Sequence, residues 1–121
     1  MPFDTTPTVL AIIPVRGVDA QLEGVPIHLA GRPLIAYTID AALNSPVVDR
    51  TVVTTDSASI RALATEFGAE APFVRPPELA GLDVSLDQVL QHCLEWLERE
   101  EAYIPDIVLS MEISYPMRPP A

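Results

Sequence analysis

Thr8-Val-Leu-Ala-Ile-Ile-Pro-Val15 constrains the fold of this chain more than any other segment. The run is apolar without a break, rich in β-branched residues, and far too short to span a bilayer. A strand that is apolar on both sides must be buried on both sides. Parallel sheets covered by helices provide that environment.

The remaining chain supplies the helices and partner strands in alternation. Arg16 to Pro26 has no periodicity, contains Gly17, Gly24 and Pro26, and reads as a long loop of the kind that often carries function. Pro33 suits the first turn of a helix that runs through Ala36, Ile39, Ala42 and Leu43 to Asn44. Arg50 to Thr55 predicts a second strand. Asp56 or Ser57 can cap a helix over about 58–67, and Gly68 stops it. A third short strand is expected at Ala71 to Val74, closed by Pro76 and Pro77. Ser85 to Glu101 gives the clearest helix, with a Ser85–Gln88 capping box and an apolar stripe of Leu86, Val89, Leu90, Cys93, Leu94 and Leu97. Asp106 to Glu112 predicts a fourth strand. This order implies an α/β, Rossmann-like parallel sheet with helices on both faces. Residues 1–121 fit one domain, or the first half of a longer one.

Composition then narrows the function. The formal net charge is −10, and all seven basic residues are arginine. A basic track for nucleic acid is missing, so a nucleic-acid partner is not expected. Small phosphorylated ligands stay open, because a few arginines in one cleft outweigh the global charge locally. The start, Met1-Pro2-Phe3-Asp4, does not read as a signal peptide, and no membrane partner is expected. The lone cysteine cannot form an internal disulfide, which fits a reducing, cytoplasmic setting.

Ligands of open α/β sheets bind beyond the carboxyl ends of the strands. Arg16, Arg75 and Arg118 each follow a predicted strand or its turn. One such arginine would read as a surface ion pair; three at one edge lean toward anion binding, for which the guanidinium fork is well suited. Asp56 could face a metal from its strand end, although capping the next helix explains it at least as well. His92 is expected on the polar face of its helix, His28 in a loop, Cys93 as a buried inert thiol, and Trp96 half-buried beside the stripe. No second histidine or cysteine stands at zinc-ligand spacing. The P-loop, G-x-G-x-x-G and G-x-S-x-G patterns are absent.

Ordered motifs sharpen this reading. Ala11-Ile-Ile-Pro-Val-Arg-Gly17 resembles the opening A-I-I-P-A-R-G-G-S-K of acylneuraminate cytidylyltransferases, and Ala30-Gly-Arg-Pro-Leu-Ile-Ala-Tyr-Thr-Ile39 their A-G-K-P-L-I-A-Y-T-I. Val53-Thr-Thr-Asp56 is similar to V-S-T-D, and Ala71-Pro-Phe-Val-Arg-Pro-Pro-Glu-Leu-Ala80 to P-F-x-R-P-x-E-L-A. Glu112-Ile-Ser-Tyr-Pro-Met-Arg118 stands where that family has Q-P-T-S-P-L-R. The motifs keep their order from about Val9 to Arg118. The related 3-deoxy-manno-octulosonate enzymes share the opening but not Phe73 to Ala80.

The resemblance implies a nucleotide-diphospho-sugar-transferase-like fold and transfer of CMP from CTP to a sialic-acid-like, nine-carbon 2-keto sugar acid. It implies Arg16 as a catalytic residue that, with the Gly17 backbone, contacts the nucleotide phosphates. Arg75 and Ser85 would lie near base and ribose, with Glu112, Ser114 and Arg118 completing the nucleotide site. Mg²⁺ is the expected cofactor, but its carboxylate ligands and the sugar-acid site belong to the family's second half, outside this chain. The phosphate loop also departs from the pattern. Val18 and Asp19 replace its second glycine and serine, Ala20 its lysine, and Val25 and Pro26 its Lys-Asn pair. The reaction is therefore not expected to be completed by this chain alone. The alternative is a degenerate homologue acting as a nucleotide-binding or assembly module. A sheet ending at Glu112 would leave apolar surface for a second half or a second subunit, so homo-oligomerisation is expected.

Overall fold

The computed structural model describes residues 6–16, 28–79, 81 and 84–112, together with the strand backbone of 21–22 and 25–26. In chain order the elements are β1 (Val9–Val15), β2 (Gln21–Leu22), β3 (Val25–Pro26), β4 (His28–Leu29), β5 (Arg32–Pro33), α1 (Leu34–Leu43), β6 (Arg50–Thr55), α2 (Ala58–Glu66), α3 (Leu86–Glu101) and β7 (Ile107–Ser110). A 3-10 turn at Pro77–Leu79 precedes α3.

β1 lies at the centre of a parallel sheet in the order β6-β1-β7. Ile12 pairs with Val52 on one side and Ser110 on the other. Side chains alternate across the pleat, so β1 feeds two cores. Ile13 and Val15 join Val53, Ile35 and Ile39 of α1, and Ile60 and Ala64 of α2. Leu10 and Ile12 join Val52, Phe73, and Cys93 and Leu97 of α3 on the opposite face. Helices therefore cover both faces, as the unbroken apolar run of β1 requires.

Local chemistry fixes each helix. Ala30 and Gly31, both at positive φ, turn β4 into β5 in a two-residue hairpin. The Tyr37 hydroxyl donates to Leu29 O, and Arg32 pairs with Asp40 at 2.6 Å, which binds that hairpin to the first turns of α1. Ser57 caps α2 by accepting from Ile60 N, and Gly68 at φ +100° ends it. Ser85 caps α3 through the expected box with Gln88. At the amino edge of the sheet, Arg50 forks onto both carboxylate oxygens of Glu70 and also reaches Glu101, with the Tyr103 ring 4.7 Å below it. These bonds hold the Arg50 proton more firmly than usual and pin the end of α3 to the start of β6.

Three expectations need correction. His28, expected in a loop, opens the two-residue strand β4 and pairs with Pro33. The strand expected at Ala71 to Val74 does not form. Main-chain bonds to β6 form only at its flanks, through the Glu70–Val52 bridge and the Arg75 N–H on Thr55 O at 2.9 Å. Between them Pro72 has no N–H to donate, and the Arg61 guanidinium occupies Ala71 O at 2.8 Å. His92, expected on a polar face, instead lies half-buried against Phe73, because the covered part of α3 is wider than its aliphatic stripe. The long loop from Arg16 to Pro26 carries the short β2–β3 pairing.

Candidate functional site

The carboxyl edge of the sheet opens for a reason written into β1. Met111 N–H donates to Ile12 O at 2.9 Å, which means that even-numbered residues of β1 direct their main-chain groups toward β7. Pro14 is the next in that series and lacks the N–H that would carry the ladder further. β7 accordingly ends at Ser110, while β1 and β6 stay paired to Val15–Thr55. The chain leaves β1 for β6 across one face of the sheet. It returns through α3 on the other face to place β7 on the opposite side of β1. The crevice between the ends of β1 and β7 is thus the point where the winding reverses, the position at which open α/β sheets bind ligands.

Arg16 follows β1 directly and is half-buried at this crevice. Glu112 lies just beyond β7, and Asp56 just beyond β6; both are exposed. Ser85 begins α3, whose far end is tied to Arg50 at the amino edge, so Ser85 lies toward the carboxyl side. Its hydroxyl is 3.2 Å from Gln88 N, in the helix cap. Arg16, Glu112 and Ser85 are therefore brought to one side of the sheet. Gly17, Ser114 and Arg118, with Val18, Asp19 and Ala20 of the altered loop, lie outside the described residues.

Arg75 comes to the same edge but faces inward. It is 2% exposed. Its Nη2 donates to Thr54 O at 2.6 Å, Nε to Thr54 Oγ1 at 3.3 Å, and Nη1 to Leu79 O at 3.2 Å. The guanidinium thereby ties the 3-10 turn to the end of β6. Thr54 and Thr55 are fully buried there, and Thr55 Oγ1 accepts from Ser57 N at 3.2 Å. Sequence reasoning missed both threonines and the part played by Pro14. A proline inside a β-branched run, two residues before the arginine that follows the strand, was the available signal.

The ionisable groups deeper in the fold do not serve this edge. Burial pushes the Cys93 thiol up to about 12, leaving it protonated and inert. His92 is held below the ordinary histidine range, first by burial and then by Arg99 and Arg75. Among the described residues, no three histidine, cysteine or carboxylate side chains gather as a metal site. No helix among them is long and apolar enough to cross a membrane.

Comparison with known proteins agrees with this architecture. The chain is 38% identical over 92 residues to the pseudaminic acid cytidylyltransferase of Campylobacter jejuni, covering 75% of this chain and 40% of the relative. It is 35% identical over 113 residues to the CMP-N,N'-diacetyllegionaminic acid synthase of Legionella pneumophila, covering 93% of this chain and 48% of that protein. The structure of CMP:2-keto-3-deoxy-manno-octonic acid synthetase complexed with CTP superposes with a TM-score of 0.67 at 24% identity, over 92% of this chain and 42% of that one. The fold is shared with that synthetase, and the chain spans less than half the length of each of these relatives. Residues 10–107, from within β1 to the start of β7, match the family described as cytidylyltransferase, and the chain belongs to that family.

Proposed function

We propose that this chain carries the nucleotide-binding part of a cytidylyltransferase that transfers CMP from CTP to a sialic-acid-like, nine-carbon 2-keto sugar acid and releases pyrophosphate. The observation that carries this reading is the crevice between β1 and β7, opened by Pro14 and flanked by Arg16, in a chain matched to the family from residue 10 to residue 107. In such a transfer the anomeric hydroxyl of the sugar attacks the α-phosphorus in line. The protein contributes by positioning the reactants and neutralising the triphosphate.

In this reading Arg16 meets the phosphate oxygens, with the Gly17 N–H beside it in sequence. Ser85, Glu112, Ser114 and Arg118 complete the proposed nucleotide site. Arg75 serves it through the wall it builds from Thr54 and Leu79. Mg²⁺ in this reading would be held through one or two carboxylates together with the substrate phosphates; among the described residues no three candidate ligands gather to hold it without the nucleotide. With no lysine in the chain and with Asp19 and Ala20 in the phosphate loop, the transfer is not completed by this chain alone. The same loop favours a second reading, a degenerate homologue that acts as a nucleotide-binding or assembly module. Either role belongs in the cytoplasm, and self-association would cover Ile107 and Leu109, which are exposed on β7.

Calorimetry with CTP and with cytidine tests the proposal. Arg16→Ala should weaken CTP binding by about 1.5–3 kcal/mol, the scale of a lost charge-assisted hydrogen bond, and leave cytidine unaffected. Equal CTP affinity in both proteins would remove Arg16 from the site. Failure of the unaltered chain to bind CTP would favour the assembly reading.

A further inference from the structure

His92 carries an unused polar atom in a packed place. Its ring stands edge-on to Phe73, with centroids 5.1 Å apart and planes at 78°. Trp96, one turn further along α3, packs on the same phenyl ring, also at 5.1 Å. Phe73 is buried and opens the segment 73–79, which Arg75 ties to Thr54 and Thr55 at the end of β6. His92 Nδ1 is buried and has no hydrogen-bond partner among the described residues.

A neutral imidazole tolerates this arrangement. With its proton on Nε2, Nδ1 is only a lone pair, and an acceptor left unmatched is less costly than a charge. Adding a proton turns Nδ1 into a donor with no acceptor among the described residues and makes the ring cationic. Burial opposes that charge, as do Arg99 on α3 and Arg75 on the facing segment. Glu95 on α3 and Glu78 on the facing turn favour it, but by less.

We propose that His92 is a proton-sensitive latch: neutral, it seals Phe73 and the 73–79 segment against α3, and on gaining a proton at Nδ1 it leaves Phe73 and loosens that segment from the end of β6. The latch concerns packing between α3 and the segment, so it stands whether or not the sheet edge binds nucleotide.

The chain has two histidines and one tryptophan, which makes the latch readable in the protein as it is. The experiment is an NMR titration from about pH 8 to about pH 5, following both imidazoles, the Phe73 ring, the Trp96 indole and exchange of the Arg75 amide. The Phe73 and Trp96 signals should move with the midpoint of His92. Protection of the Arg75 amide, corrected for the intrinsic pH dependence of exchange, should fall at least about tenfold across that midpoint. In His92→Gln these changes should vanish; His92→Phe, which keeps a ring on Phe73, provides the same check if the glutamine variant folds poorly. If His92 titrates while Phe73 and the Arg75 amide stay unmoved, or if the changes persist in either variant, the latch is refuted.

Discussion

Arg75→Leu separates a clamp from a ligand. The leucine fills much of the space of the arginine stem but leaves Thr54 O and Leu79 O without their donor. The contact to Thr54 O is short, at 2.6 Å, and belongs to the charge-assisted class, worth about 1.5–3 kcal/mol. The bonds to Leu79 O and Thr54 Oγ1 are long, at 3.2 and 3.3 Å, and add about 0.5–1 kcal/mol each. The expected loss is about 2.5–5 kcal/mol, a large part of the ~5–15 kcal/mol that holds a domain together. In urea unfolding, with a slope of about 2 kcal/mol/M, the midpoint should fall by about 2 M. Arg75→Lys keeps the charge without the fork and should recover less than half of the loss. A leucine variant that loses less than about 1 kcal/mol would refute the clamp. A variant of unchanged stability that no longer binds CTP would show that the guanidinium reaches the ligand directly.

Gly68→Ala should cost about 1–2 kcal/mol in thermal unfolding, chiefly from the backbone at φ +100°, since the new methyl would meet only the movable tip of Leu43 at 3.1 Å. Cys93, its thiol pushed up to about 12, should resist thiol reagents at neutral pH in the native chain and react at once in denaturant; rapid native labelling would contradict its burial. Asp19→Ser with Ala20→Lys should tighten CTP binding about tenfold, or ~1.4 kcal/mol, with a smaller effect on cytidine and a gain that shrinks as salt rises. Equal shifts for CTP and cytidine would mean that this loop is no phosphate site.

The sheet was legible wherever local pattern and tertiary environment agreed. β1 and β6 begin and end where their β-branched runs do, and Ser57, Gly68 and Ser85 act as the caps and stops that their chemistry suggests. Ala71 to Val74 misled because strand propensity competes there with a side chain from α2: Arg61 takes a carbonyl that a neighbouring strand would need. Arg75 and His92 misled for a related reason. A charged or polar residue reads as exposed in one dimension, and its burial depends on partners distant in sequence, such as Thr54, or on a ring such as Phe73. At the candidate site, the positions of Arg16, Ser85 and Glu112 on one side follow from the element order alone. The opening of the crevice at Pro14 required the register between β1 and β7.

The central place of β1 bears on how the chain acquires its structure. Its pairing with β6 closes a span of about forty residues, and Asp49 helps by accepting from Val9 N. Its other flank waits for Asp106 to reach Thr8, 98 positions away. Closing the longer span adds only a little to the entropy already lost in the shorter, about 0.6 kcal/mol per doubling of length. Timing is a different matter, because contacts so remote in sequence slow the search for the native state. During synthesis the β1–α1–β6 unit can assemble first, with one side of β1 and the Leu10–Ile12 face bare until α3 and β7 have left the ribosome. The most apolar strand of the protein is also the one that stays half-covered longest, which makes this nascent intermediate the stage most open to chaperone capture or aggregation.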